Sequence, residues 1–98
     1  MACSRTELLD FLAKNKASFA REFAVRKIGL FGSFARDEAN DESDIDIVVE
    51  LGKADMFYLI GIKQALEEKF SRRVDVVRMR EPMNVSLRKR IEKDAIYV

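Results

Sequence analysis

Apolar residues along the chain recur with two different periods, and the switches between them mark the elements. Leu8, Phe11, Leu12, Phe19 and Phe23 return at roughly helical spacing behind Ser4-Arg5-Thr6-Glu7, a capping-box sequence. A helix is predicted there, with Asn15-Lys16 as a candidate break. Val25 to Phe31 is a short β-branched and aromatic run closed by Gly32, which predicts a strand entering a tight turn, and Ser33 opens a helical turn behind it. Beyond the polar stretch Arg36 to Ser43, the run Asp44-Ile45-Asp46-Ile47-Val48-Val49-Glu50 alternates in part with period two and ends at Leu51-Gly52, a second strand. Met56, Leu59, Ile60, Ile62, Leu66 and Phe70 predict a helix from about Asp55 to Phe70, with Gly61 as its weak point. Val74-Asp75-Val76-Val77 is a third strand, and the only proline, Pro82, sits in a loop before a basic helix over roughly Val85 to Lys93. The chain ends in the apolar tail Ala95-Ile96-Tyr97-Val98. Helix, strand, helix, strand, helix, strand, helix makes one α/β domain over residues 1–98.

Composition changes the picture mainly by exclusion. Ninety-eight residues, 48% hydrophobic and 36% charged, suit a small folded domain rather than a disordered chain. Eighteen Lys and Arg against 17 Asp and Glu leave a net charge of +1, so no global field draws polyanions and direct nucleic-acid binding is not expected. With no His and a single Cys, Cys3, the imidazole bases, the Ser-His-Asp arrangement, thiolate zinc cages and intrachain disulfides all drop out. Catalysis must run on carboxylates, hydroxyls, amines or hard metals. No run of about 18 apolar residues and no cleavable leader are visible, which predicts a cytoplasmic protein with no membrane segment.

The candidate chemistry begins with a misplaced residue type. Asp is depleted in strands, yet Asp44 and Asp46 stand at i and i+2 in the most β-prone run of the chain. Strand alternation turns both to one face, about 6.5 to 7 Å apart by Cα rise, and turns Ile45, Ile47 and Val49 to the other, where the helices are expected to pack. Like charges this close raise one another's pKa unless a cation sits between them, and oxygen-only donors select a hard ion such as magnesium. Asp75 repeats the pattern on the third strand. If that strand lies beside the second, three carboxylates converge, enough for two metals about 3.5 to 4 Å apart and in-line displacement at phosphorus. Gly32 and Ser33 offer a phosphate cradle at the end of the first strand, and Arg36, one turn on, is placed to reach the same phosphates.

Leu30-Phe31-Gly32-Ser33-Phe34-Ala35-Arg36 followed by Ser43-Asp44-Ile45-Asp46-Ile47-Val48-Val49-Glu50 resembles the signature of the polymerase-β-type nucleotidyltransferase superfamily in its minimal branch. The likeness extends across nearly the whole chain: Val74 to Val77 resembles the strand of the third carboxylate, and Arg90-Ile91 through Val98 the closing segment. One departure is Asp37, where members commonly carry Gly. The resemblance implies a small mixed sheet with helices on one face, ATP as substrate, two magnesium ions on Asp44, Asp46 and Asp75, β- and γ-phosphates on Gly32 and Ser33, and Asp75 as acceptor of the attacking hydroxyl's proton.

Members of this superfamily that act on primers or aminoglycosides carry further domains, whereas these 98 residues cover the catalytic palm alone. The acceptor must then come from a partner. The minimal branch resembles antitoxins paired with HEPN ribonuclease toxins, which implies transfer of AMP to a toxin tyrosine within a homo-oligomer or hetero-complex. Two alternatives stand beside it: a non-catalytic antitoxin acting by occlusion, and an aminoglycoside-type transferase for small molecules. Met56-Phe57-Tyr58 and Ile96-Tyr97-Val98 are the candidate docking segments. The basic run Arg88-Lys89-Arg90, with Arg72-Arg73, Arg78 and Arg80, reads as a solvated helix face.

Overall fold

A computed structural model describes residues 3–98. Helix α1 (Arg5–Phe23) leads into strand β1 (Val25–Phe31), the short turn of helix α2 (Gly32–Ala35) and strand β2 (Ile45–Leu51). Helix α3 (Met56–Phe70), strand β3 (Val74–Arg78), helix α4 (Val85–Asp94) and the two-residue strand β4 (Ile96–Tyr97) follow. The four strands form one sheet in the order β3-β2-β1-β4. β1 runs antiparallel to β2 and β4, while β2 and β3 are parallel and joined through α3, so the sheet is mixed as anticipated.

Local chemistry explains the helix limits. The Glu7 amide donates to the Ser4 hydroxyl at 3.1 Å, the N-terminal half of the predicted capping box. α1 then runs unbroken through Asn15-Lys16, because the Asn15 side-chain amide donates to the Phe11 carbonyl at 2.9 Å and spends its polarity inside the helix. The Asp55 carboxylate caps α3 by accepting from the Phe57 amide at 2.8 Å.

Strand alternation splits the apolar residues between two faces. Leu8, Leu12 and Phe19 of α1 and Ile62 and Leu66 of α3 pack with Ile28, Leu30, Ile45, Ile47, Val49 and Val74 of the sheet, the main core. The opposite face is not purely polar. Phe31 and Val48 are buried there against Ile91 of α4, with Val77, Met79, Met83 and Leu87 around them. The two long helices therefore share one face, and α4 covers part of the face that carries Asp46 and Asp75. The C-terminal tail, read in the sequence only as apolar, adds a fourth strand by pairing Ile96 and Tyr97 with Leu30 and Gly29.

Gly61, weak by helix propensity, has a packing reason. A Cβ there would run into the ring of Phe23, which already contacts Phe19 with ring centroids 5.9 Å apart and Tyr58 at 6.4 Å. In an exposed helix Gly→Ala gains up to about 1 kcal/mol, but here the added methyl must displace the Phe23 ring, itself packed against two others. Gly61→Ala is expected to destabilise the fold by about 1–2 kcal/mol, read as a lower urea midpoint at unchanged slope.

Candidate active site

Two pairings assemble the site. The parallel register places Asp46 directly across from Asp75, and the antiparallel register places Phe31 across from Asp46 on its other side. Gly32, the next residue after Phe31, is thereby pressed against Asp46. Its φ is +75°, in the left-handed region, and the space a Cβ would take is filled by the Asp46 carboxylate. The predicted convergence of Gly32, Asp46 and Asp75 is thus a consequence of register.

Asp46 and Asp75 line one groove of about 430 Å³ whose walls include Phe31, Leu59, Ile60, Lys63, Leu87 and Arg90. Asp46 is partly buried there, and burial pushes its carboxyl pKa above the ordinary value; Asp75 and Asp44 add to the rise, opposed by Arg90 and Arg36. A raised carboxyl pKa means that the ionised form is disfavoured until a positive charge arrives. The donors are carboxylate oxygens only, which suits a hard cation, and a cation would relieve the crowding on Asp46.

The three aspartates are not equivalent. Asp44 falls one residue before β2 and lines a neighbouring groove of about 650 Å³ with Ser43, Arg72 and Arg73. Among the described residues, no three His, Cys, Asp or Glu side chains are gathered closely enough to hold an ion by themselves. Asp46 and Asp75 form the pair in the groove, while Asp44 lies outside its lining, close enough for its charge to raise the Asp46 pKa. The loop before Asp44 is tethered by Arg72, whose guanidinium donates to the carbonyls of Ser43 at 2.8 Å, Asn40 at 3.1 Å and Asp41 at 3.2 Å and stacks on Phe34 at 5.2 Å. Arg72 is not simply part of a solvated basic run.

Ser33 is half-buried at the start of α2. Arg36, at the end of that turn, donates to Asp94 at 2.6 Å and to Glu38 at 3.2 Å, so its guanidinium is committed to α4. Asp37 has φ +61°. Gly is the residue with no penalty there, and Asp is one of the few others that tolerate the left-handed region, which accounts for the departure seen in the sequence.

Lys63 and Arg90 are groove residues that sequence reasoning did not select. Arg90 was grouped with a solvated face, yet it flanks Ile91, the buried residue of α4. A basic residue bordering a helix's apolar stripe is the signal that marks it.

Comparison with known proteins places the chain in a family. Residues 12–98 match the family model described as the nucleotidyltransferase domain. The chain is 32% identical over 93 residues to the protein adenylyltransferase MntA of Thermococcus cleftensis, covering 94% of this chain and 93% of that one. A solved structure of a provisionally named minimal nucleotidyltransferase superposes with a TM-score of 0.76 at 30% identity, covering 96% of this chain and 95% of the other. One chain in a structure of the tri-AMPylated Shewanella oneidensis HEPN toxin in complex with MNT antitoxin shares the fold at TM-score 0.63 and 21% identity, covering 91% of this chain and 70% of that one.

Two outcomes are expected. The raised pKa of Asp46 means that its stabilising contribution is present while it is protonated and is lost as pH rises through the folded-state pKa. Asp46→Asn should therefore leave Tm unchanged or a few degrees higher at neutral pH without divalent cations, with the difference vanishing toward acid pH; a loss of several degrees would overturn the electrostatic account. Gly32→Ala meets both a left-handed φ and the Asp46 carboxylate, and should cost about 1–3 kcal/mol in urea unfolding.

Proposed function

The chain belongs to the nucleotidyltransferase domain family, and from that premise we propose that it is an antitoxin that transfers AMP from ATP to a tyrosine hydroxyl of a HEPN-type toxin. The observation that carries the reading is the register that sets Gly32 against Asp46 and Asp46 beside Asp75. The names of its relatives support the choice of a protein acceptor, and the fold shared with a chain of a HEPN–MNT complex supports the partner class.

Asp46 and Asp75, with Asp44 two residues before Asp46, would hold two magnesium ions, the remaining ligands coming from nucleotide oxygens. Bound magnesium neutralises phosphate charge and favours the ionised form of an attacking hydroxyl. Gly32 and Ser33 cradle β- and γ-phosphate oxygens, because the glycine leaves backbone open to close approach and the first amides of the turn are free to donate. Arg36 closes the far end of that turn. The tyrosine oxygen bonds to the α-phosphorus, the bond from that phosphorus to the bridging oxygen breaks, and pyrophosphate leaves with the electron pair. Asp75 takes the hydroxyl proton.

The toxin docks on the N-terminal end of α3. Met56 and Phe57 are 74% and 79% exposed, and Ile60, 42% exposed, belongs both to that patch and to the groove wall. An acceptor seated there delivers its hydroxyl to the carboxylates. The Tyr97 end of the tail is less exposed and lies beyond the opposite strand.

Incubation with α-labelled ATP, magnesium and the HEPN partner is expected to label a partner tyrosine and silence the toxin. EDTA should abolish labelling, and Asp46→Asn should reduce it at least ~100-fold, since a direct ligand exceeds the ~10–100-fold cost of altering an outer one. Toxin silenced equally well by Asp46→Asn, with no gain of AMP mass, would replace transfer by occlusion.

A further inference from the structure

Two cations line the groove with the Asp46–Asp75 pair: Lys63 from α3 and Arg90 from α4. Among the described residues neither forms an ion pair with a carboxylate, whereas Arg36 is held by Asp94 and Glu38. The two cations differ in preparation. Both residues are exposed, but the Arg90 guanidinium lies 5.9 Å from the centroid of the Phe31 ring, over the residue that precedes Gly32, whereas Lys63 carries its charge on a flexible stem.

Helix geometry shows why Arg90 sits there. Arg90 and Asp94 are four residues apart on α4 and so share a face. Asp94, its side chain only 6% exposed, grips Arg36 at the end of the Gly32–Ala35 turn. Ile91 and Leu87 anchor the same helix on Phe31 and Val48. The ion pair and the apolar anchor together fix the rotation of α4, and one turn back from Asp94 the guanidinium lies over Phe31, in the wall of the groove that holds Asp46 and Asp75. A planar, permanently charged fork that is already ordered and lacks a protein carboxylate matches the bidentate geometry of phosphate oxygens.

We propose that Arg90 is a direct triphosphate ligand of this site, held in position by the Arg36–Asp94 ion pair. The assignment rests on the nucleotidyltransferase reading and deepens it: the sequence motif pointed to Arg36 as the phosphate contact, but in the fold Arg36 is a positioning residue and the contacting cation comes from the last helix. The chemical class recognised is the β,γ-diphosphate portion of a nucleoside triphosphate, so a nucleoside monophosphate should be indifferent to Arg90.

The test is calorimetric titration of the full chain with ATP and with AMP in the presence of magnesium, beside transfer kinetics with the HEPN partner. Arg90→Ala is expected to weaken ATP binding and raise KM for ATP by about 10- to 100-fold, the range of a lost charge-assisted hydrogen bond. AMP affinity should stay within about twofold of wild type, and Arg90→Lys should recover part of the loss. Asp94→Asn should weaken ATP binding in the wild-type background and cost nothing further in Arg90→Ala, because the strut acts through the arginine. Equal ATP affinity in a folded Arg90→Ala, checked by its thermal melt, would overturn the ligand assignment, as would parallel losses for ATP and AMP. Additive effects of the two substitutions would overturn the strut. Wild-type protein that binds ATP but labels no acceptor would overturn the transfer reading alone; wild-type protein that binds no ATP would overturn both.

Discussion

The structure turns on the placement of one carboxylate. Asp46 sits inside a strand, partly buried, with Asp75 in register on one side and Gly32 pressed against it on the other. Its ionisation is opposed both by loss of water and by like charge, the two effects that most strongly raise a carboxyl pKa. A small domain has only about 5–15 kcal/mol of net stability to oppose such crowding. The main core of α1, α3 and the sheet supplies that reserve from the opposite face, where strand alternation collects Ile45, Ile47 and Val49. The polar site and the apolar core are the two sides of the same strand.

The minor face shows how the site is completed. A sheet edge bearing two aspartates would hold a cation loosely in open water, but α4 packs over Phe31 and Val48 and makes a wall. That wall brings Arg90 to the groove and lowers the cost of charging Asp46. Arg72 performs a comparable task on the other side by pinning the loop that ends at Asp44. Residues read from the sequence as a solvated basic surface therefore divide by location: two of them organise the site, and others remain in ordinary surface pairs, such as Arg88 with Glu81 and Glu92.

Much of this was legible before any coordinates. β-branched and aromatic runs, alternating in part with period two at β2, marked β1, β2 and β3 to within a residue or two, the capping sequence marked the start of α1, and an Asp-x-Asp in a β-prone run announced an unusual candidate site. Local signals are enough for these because they depend on residues adjacent in the chain. β4 was not legible, since two apolar residues pair only when β1 offers an edge. Nor was the unbroken passage of α1 through Asn15, which depends on a side-chain bond to Phe11.

The sequence by itself determined the order of the first seven elements and the inward and outward alternation of the strands, and it singled out Gly32, Asp46 and Asp75 as candidates for one site, because period and residue type are properties of the chain. Tertiary structure alone decided that Arg36 faces Asp94, that Arg90 reaches the groove, and that Asp44 lines a different groove from Asp75. The reason is that the partner of a long charged side chain is set by the rotation and docking of a helix, here fixed by Ile91 against Phe31 and Val48. Fifty-three positions separate Gly32 from the start of α4, and no pattern within either segment records their meeting.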